Sequence, residues 1–401
     1  MVVTIVVLLI LAGVSISLVL NNNGIVQKSK EARTKYGEAK DNEQAQMSGV
    51  EDWVDNQVDG NGNSSKPTIE ETKPYFPNGF TKEEGTSLDT GLVMKDSVGN
   101  EYVWIEVPRK KEVYTTAGLN ITEFSEEELL SIKTDLIKYA TDYRDSNYDD
   151  IWRDGCGVEE AEYSVMYNKM LKSVYQNGGF WIGRYEIGID ENTERNFGVD
   201  QSTEHPTTGQ TPVIKKNKVP YNWIKCSQAE EIAETFAPTG YTSSLMFGLQ
   251  WDLVCKHLET KGTNPGNAAD SLQNAIKSNS NDWGNYSDAS FTVTNADAMY
   301  SEDYGASWKK VSEETNKEYT KPESKILLTT GAEVRNSMLN IYDLAGNLME
   351  FTLAGSLKIN IACVSRGGYY YSESNTSPAY SYGVSNKDYS SIWDGARVTI
   401  Y

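Results

Sequence analysis

Apolar residues follow three different periods along this chain. From Val2 to Leu20 they run almost without a break, interrupted by the hydroxyls of Thr4, Ser15 and Ser17, and the first 27 residues carry no charge. Nineteen helical residues span about 28 Å, the thickness of a bilayer core, so residues 2–20 are expected to cross a membrane. A cleavable signal peptide is the competing reading, although a basic front and a small-residue cleavage site are missing. After the break at Asn21, Asn22, Asn23 and Gly24, helical spacing takes over through Ala32, Tyr36, Ala39, Met47, Val50, Val54 and Val58, predicting an amphipathic stalk. Residues 1–58 therefore read as a transmembrane and stalk helix. Residues 59–85 read as a linker that opens on DGNGNSSKP, leaving 86–401 as a head.

In the head the period shortens to two. The stretch 91–108 holds two apolar runs about Gly99 and Asn100 and predicts a hairpin. Ile359, Ile361, Cys363 and Ser365 alternate as in a strand with one buried face, which Gly367 and Gly368 interrupt. Ala396, Val398 and Ile400 oppose Arg397 and Thr399, so the chain should end as a strand inside a sheet. A helix is predicted over 125–143, with Ser125 as N-cap and Glu126 to Glu128 in its first turn. Residues 260–325 read mostly as loop, and 343–347 as a chain reversal in which Gly346 takes a conformation closed to most residues. The fold class is α+β, with little regular structure and much loop.

Three strings close the chain in order: NIYDLAGNLMEFT (340–352), VSRGGYYY (364–371) and GARVTIY (395–401). Together they resemble the formylglycine-generating enzyme (sulfatase-modifying factor) family, a branch of the C-type lectin fold. The matches are Asn340, Tyr342, Asp343, Gly346, Asn347, Glu350, Phe351, Arg366, Gly367, Gly368, Gly395 and Arg397. GGFWIGRYEIG (178–188) is similar to the family's early strand, YNWIKCSQAEEIAETF (221–236) to its first helix, and 243–259 to the segment that carries a tryptophan, here Trp251. The resemblance covers roughly residues 86–401.

Residues Ile5 through Ile25 resemble the amino-terminal helix of type IV pilin-like proteins. The basic leader, the glycine of a prepilin cleavage site and the glutamate after it are not in this chain, and a misplaced start codon or a truncated sequence that omits a few leading residues is the expectation. A plain membrane anchor is the alternative.

A formal charge of −20 argues against nucleic acid as a partner, because phosphate backbones need a positive surface. Cys156, Cys226, Cys255 and Cys363 show no metal-ligand spacing, and Cys226, Cys255 and Cys363 read as buried packing residues. In the resembled oxygenases a cysteine pair binds copper, the first shortly after Arg-Gly-Gly-Ser. Here tyrosines follow Gly368 and no cysteine occurs after Cys363, so neither copper nor catalysis is expected. The resemblance implies one metal, calcium, held by Asp343 and Glu350 with main-chain carbonyls of Gly346 and Leu348. The competing reading has these groups bonding the turn, with Glu350 paired to an arginine such as Arg366. The acidic run DSNYDD (145–150) reads as a solvated loop, since Asp150 and Cys156 occupy the glycine and glutamate positions of an EF-hand.

Residues 369–394 hold six tyrosines among serines and asparagines, the composition of adaptable binding loops. The candidate ligand-binding residues are Tyr369, Tyr370, Tyr371, Ser372, Ser374, Asn375, Tyr380, Tyr382, Asn386, Tyr389 and Trp393. On the C-type lectin fold this stretch is where diversity-generating retroelements rewrite surface residues. The expectation is a non-catalytic, adhesin-like protein at the cell membrane or on an extracellular pilus, which binds a protein or glycan on another cell, a phage or a matrix. The alternatives are a structural subunit packed among other pilins, and an enzyme of the resembled family with altered chemistry.

Overall fold

The computed structural model describes residues 72–195, 209–265, 271–359, 362–384 and 390–401. The chain divides between Thr68 and Ile69 into two compact units, and every described residue lies in the second. The expected membrane span and stalk (1–58) thus fall outside the described residues. Among those described, no helix is long and apolar enough to cross a membrane.

The hairpin about Gly99 forms as β2 (Val93–Lys95) and β3 (Glu101–Glu106), Asp96 closing the turn by accepting from the Asn100 N–H at 2.8 Å. These strands enter a six-stranded antiparallel sheet with β1 (Thr81–Lys82), β4 (Gly179–Gly183), β5 (Ser243–Leu245) and β12 (Val398–Ile400). Its order is β1-β2-β3-β4-β12-β5, so the last strand of the chain lies between two strands from its middle. The expected terminal strand is present. Its polar face is as dry as its apolar one, because Arg397 and Thr399 are fully buried.

The head begins earlier than residue 86. Tyr75 donates its hydroxyl to the Ile400 carbonyl at 2.7 Å and accepts from the Trp181 indole at 2.8 Å through its own carbonyl. Its ring meets Trp104 edge-on at 5.5 Å, and β1 is an edge strand. Residues 72–85 are therefore part of the head, with Thr81–Lys82 in the sheet, and aromatic burial outweighs a polar composition that reads as linker.

Helix α1 (Glu126–Tyr139) starts at the expected Ser125, which forms a reciprocal capping box with Glu128; it ends before 143, where Thr141–Tyr143 tighten into a 3₁₀ turn. Helix α2 (Glu160–Asn177) was not expected. It buries Tyr163, Met166, Tyr167, Met170, Leu171, Val174 and Tyr175, a helical stripe built mainly of tyrosine and methionine. Helices α3 (Cys226–Glu234) and α4 (Gly248–Lys261) follow, the latter carrying the buried Trp251. A short α5 (Leu272–Lys277) and short strands such as β6 (Met299–Ser301) punctuate the stretch read mostly as loop, and β7 (Leu327–Leu328) follows it. A second sheet runs β10-β9-β8-β11, from β8 (Met349–Phe351), β9 (Val364–Arg366), β10 (Tyr382–Val384) and β11 (Asp394–Ala396), with β8 and β11 parallel.

Two sequence readings are corrected here. The acidic run 145–150 is not a solvated loop. The Asp150 carboxylate accepts from the Gly248 and Leu249 N–H groups at 2.6 and 3.1 Å, capping α4 in place of a residue of that helix, and Arg144 bridges Asp150 to Asp252. Cys226 and Cys363 are not packing thiols but a disulfide, with Cα atoms 6.2 Å apart.

Candidate ligand-binding surface

The turn before β8 is built from positive-φ backbone held by buried polar groups. Asp343, Gly346 and Asn347 all have positive φ. A Cβ on Gly346 would lie 2.2 Å from the Asn285 carbonyl oxygen, so no side chain fits there. Asn347 donates through Nδ2 to Glu186 Oε2 at 2.7 Å and accepts from Asn285 Nδ2 at 3.0 Å, and the Leu348 N–H donates to Glu186 Oε1 at 2.9 Å.

Three carboxyl groups, on Glu186, Asp343 and Glu350, are buried around the Arg397 guanidinium. Arg397 Nε donates to both Glu350 oxygens at 3.0 and 2.9 Å, and its Nη atoms reach the Gly183 and Tyr342 carbonyls at 2.8 and 2.7 Å. Asp343 Oδ2 accepts from the Gly331 N–H at 2.6 Å. Burial pushes Asp343 up to about 7, against the pull of the Gly331 N–H and Arg397. Burial also raises Glu350, and Glu186 goes well above the usual carboxylate range. Of the residues expected to hold calcium, Glu350 has both carboxylate oxygens engaged by the Arg397 guanidinium and Asp343 accepts from the Gly331 N–H. Glu350 does pair with an arginine, Arg397 in place of Arg366. Arg366 instead donates to Asp252 at 3.1 Å and lies over the rings of Tyr148 and Trp251.

This rigid turn fixes an aromatic surface beside it. The Tyr370 N–H donates to the Asn347 carbonyl at 3.0 Å, and the Tyr370 ring is fully buried against Leu327 and Leu348. Its neighbours Tyr369 and Tyr371 are thereby left half-buried, their rings nearly parallel (12°) with centroids 6.5 Å apart. Trp393 meets them at 5.6 and 6.3 Å, held by its own carbonyl, which accepts from the Met349 N–H. Tyr304, 40% exposed, reaches Tyr371 at 6.0 Å from a turn in which Asp303 accepts from Ser301 and Ser307. Lys325, just before β7, sets its ammonium 3.5 Å from the Tyr371 ring centroid. Four segments distant in sequence thus converge on one cluster of rings.

Other expected ligand residues lie elsewhere or inward. Ser372 bonds back to the Tyr369 carbonyl at 2.9 Å, Ser374 is buried on Asp288, and Asn375 is exposed. Tyr380 lies under Lys277, and the Tyr382 hydroxyl accepts from Asn147 while its ring tilts against Tyr148. Neither makes a ring contact with the Tyr369–Tyr371–Trp393 cluster among the described residues. Asn386 and Tyr389 lie outside the described residues. Tyr304 and Lys325 were missed, because no local motif says which distant loop will fold back onto the tyrosine triplet.

The two free thiols, Cys156 and Cys255, are buried, and burial pushes Cys255 up to about 12, far from a reactive thiolate. Burial and Lys261 lower His257 to about 3, leaving it neutral. The chain matches no protein-family model, no curated protein and no solved structure.

Proposed function

We propose that the protein is a non-catalytic, adhesin-like binding protein displayed outside the cell, whose binding surface is the ring cluster of Tyr369, Tyr371, Trp393 and Tyr304. The observation that supports it is this cluster: amphipathic rings, partly exposed, on a scaffold of buried hydrogen bonds and a buried tyrosine. Rings positioned this way lose little entropy on binding and supply large contact area. The disulfide is consistent with an oxidising compartment. In this reading the head is a C-type-lectin-like, formylglycine-generating-enzyme-like domain, carried on a pilin-like membrane helix at residues 2–20, with 369–394 open to diversification by a retroelement.

The test uses the full chain against glycan arrays and a panel of microbial cells. Replacing Tyr371 and Trp393 by alanine is expected to abolish binding and leave the urea unfolding midpoint nearly unchanged. Undiminished binding by the double variant would remove the surface from consideration.

A further inference from the structure

The ligand's chemistry can be taken further on the basis of that proposed surface. Lys325 is exposed and has no carboxylate partner among the described residues, yet its ammonium sits 3.5 Å from the centroid of the Tyr371 ring. Ring faces attract cations through their quadrupole, most strongly where neighbouring groups exclude water. Tyr304 and Trp393 stand 6.0 and 6.3 Å from Tyr371, flanking it with two further rings, one of them an indole. The loops that carry the cluster also expose Glu302, Asp303, Glu323 and Glu373. Hydrogen bonds from Ser307 and Ser301 hold Asp303 below the usual carboxylate range, so it stays charged. The chain as a whole carries −20, a field that draws in cations and repels anions.

We infer that the surface takes a basic side chain from an exposed segment of a partner protein, and that Lys325 is the intramolecular occupant this side chain replaces. Arginine suits the position better than lysine. Its planar guanidinium stacks on a ring and gives up hydration more readily than an ammonium.

The experiment titrates full-length protein with fluorescent hexa-arginine, hexa-glutamate and a hexamer of N-acetylglucosamine, comparing wild type with Lys325→Gln, Tyr371→Ala and, as a charge-matched control, Lys138→Gln. Hexa-arginine is expected to bind K325Q about 2- to 5-fold more tightly than wild type, the range of an exposed cation–π contact. Y371A should bind it more weakly than wild type, and K138Q like wild type. Equal gains in K325Q and K138Q would mean bulk attraction to an acidic surface and would overturn the inference, as would an unchanged Y371A. If the sugar hexamer binds and Y371A loses it while hexa-arginine is indifferent to every variant, the surface stands and its basic ligand falls. If Y371A changes none of the three, the surface falls with it.

Discussion

Asp343 has a carboxyl that folding removes from water and sets among two further acids and one arginine. Burial raises it from 3.8 to about 7, and Glu186 and Glu350 move in the same direction. Between those two values the folded chain keeps a proton that the unfolded chain has released. The sign follows: this group's contribution to stability is complete below about pH 4 and is lost as pH rises through 7. Asp343→Asn keeps an oxygen for the Gly331 N–H and cannot ionise. Urea midpoints at about pH 4.5 and about pH 7.5 should therefore show wild type losing on the order of 2 kcal/mol more than the variant across that interval. Equal losses would mean that Asp343 is not a titrating member of the group. Hydropathy reads Glu186, Asp252 and Glu350 as surface residues, and only the motif around 340–352 marked two of the acids. The pairing of Glu350 with Arg397 needed the parallel register of β8 beside β11, which sets Glu350 opposite Gly395 and which no local pattern carries.

The disulfide ties the first residue of α3 to the residue before β9 across 137 positions. Closing a loop of that length restricts the unfolded chain by up to about 5 kcal/mol in the chain-entropy account. Cys226→Ser with Cys363→Ser should lower thermal stability by several kcal/mol, and a reductant should do the same to wild type and nothing to the double variant. A variant as stable as wild type would show that packing alone holds β9. Elements with local signals were legible in the sequence. Ser125 with Glu128 marked the start of α1, Gly99 with Asn100 marked the hairpin, and alternation marked β12. Helix α2 was overlooked although Tyr163, Tyr167, Met170, Val174 and their neighbours recur at helical spacing, because tyrosine and methionine carry less hydropathy than leucine. Long-range pairings stayed hidden for a different reason. Neither Cys226 nor Lys325 is distinguished by its neighbours in sequence, only by what the fold brings to it.

The head is closed by its two ends. Tyr75 bonds to Ile400, and Thr242 and Tyr401 exchange backbone hydrogen bonds at 2.9 and 3.0 Å, while β12 fills the gap between β4 and β5. A chain stopped after Gly395 would leave both neighbours with unpaired backbone groups and remove Arg397 from three buried acids. It should show neither cooperative unfolding nor near-ultraviolet dichroism, and a sharp transition in it would refute the central role of β12. The composition of the chain is read with least ambiguity at this scale: its charge of −20 leaves the acidic residues outside the core free to steer a ligand. The place of β12 also has a meaning in time. A ribosome makes residues 398–400 more than 200 positions after β4, so until they emerge the sheet exists as two separate edges. Emergence of β12 is the event that lets this sheet close, and until then the head remains an open chain for whatever machinery handles it.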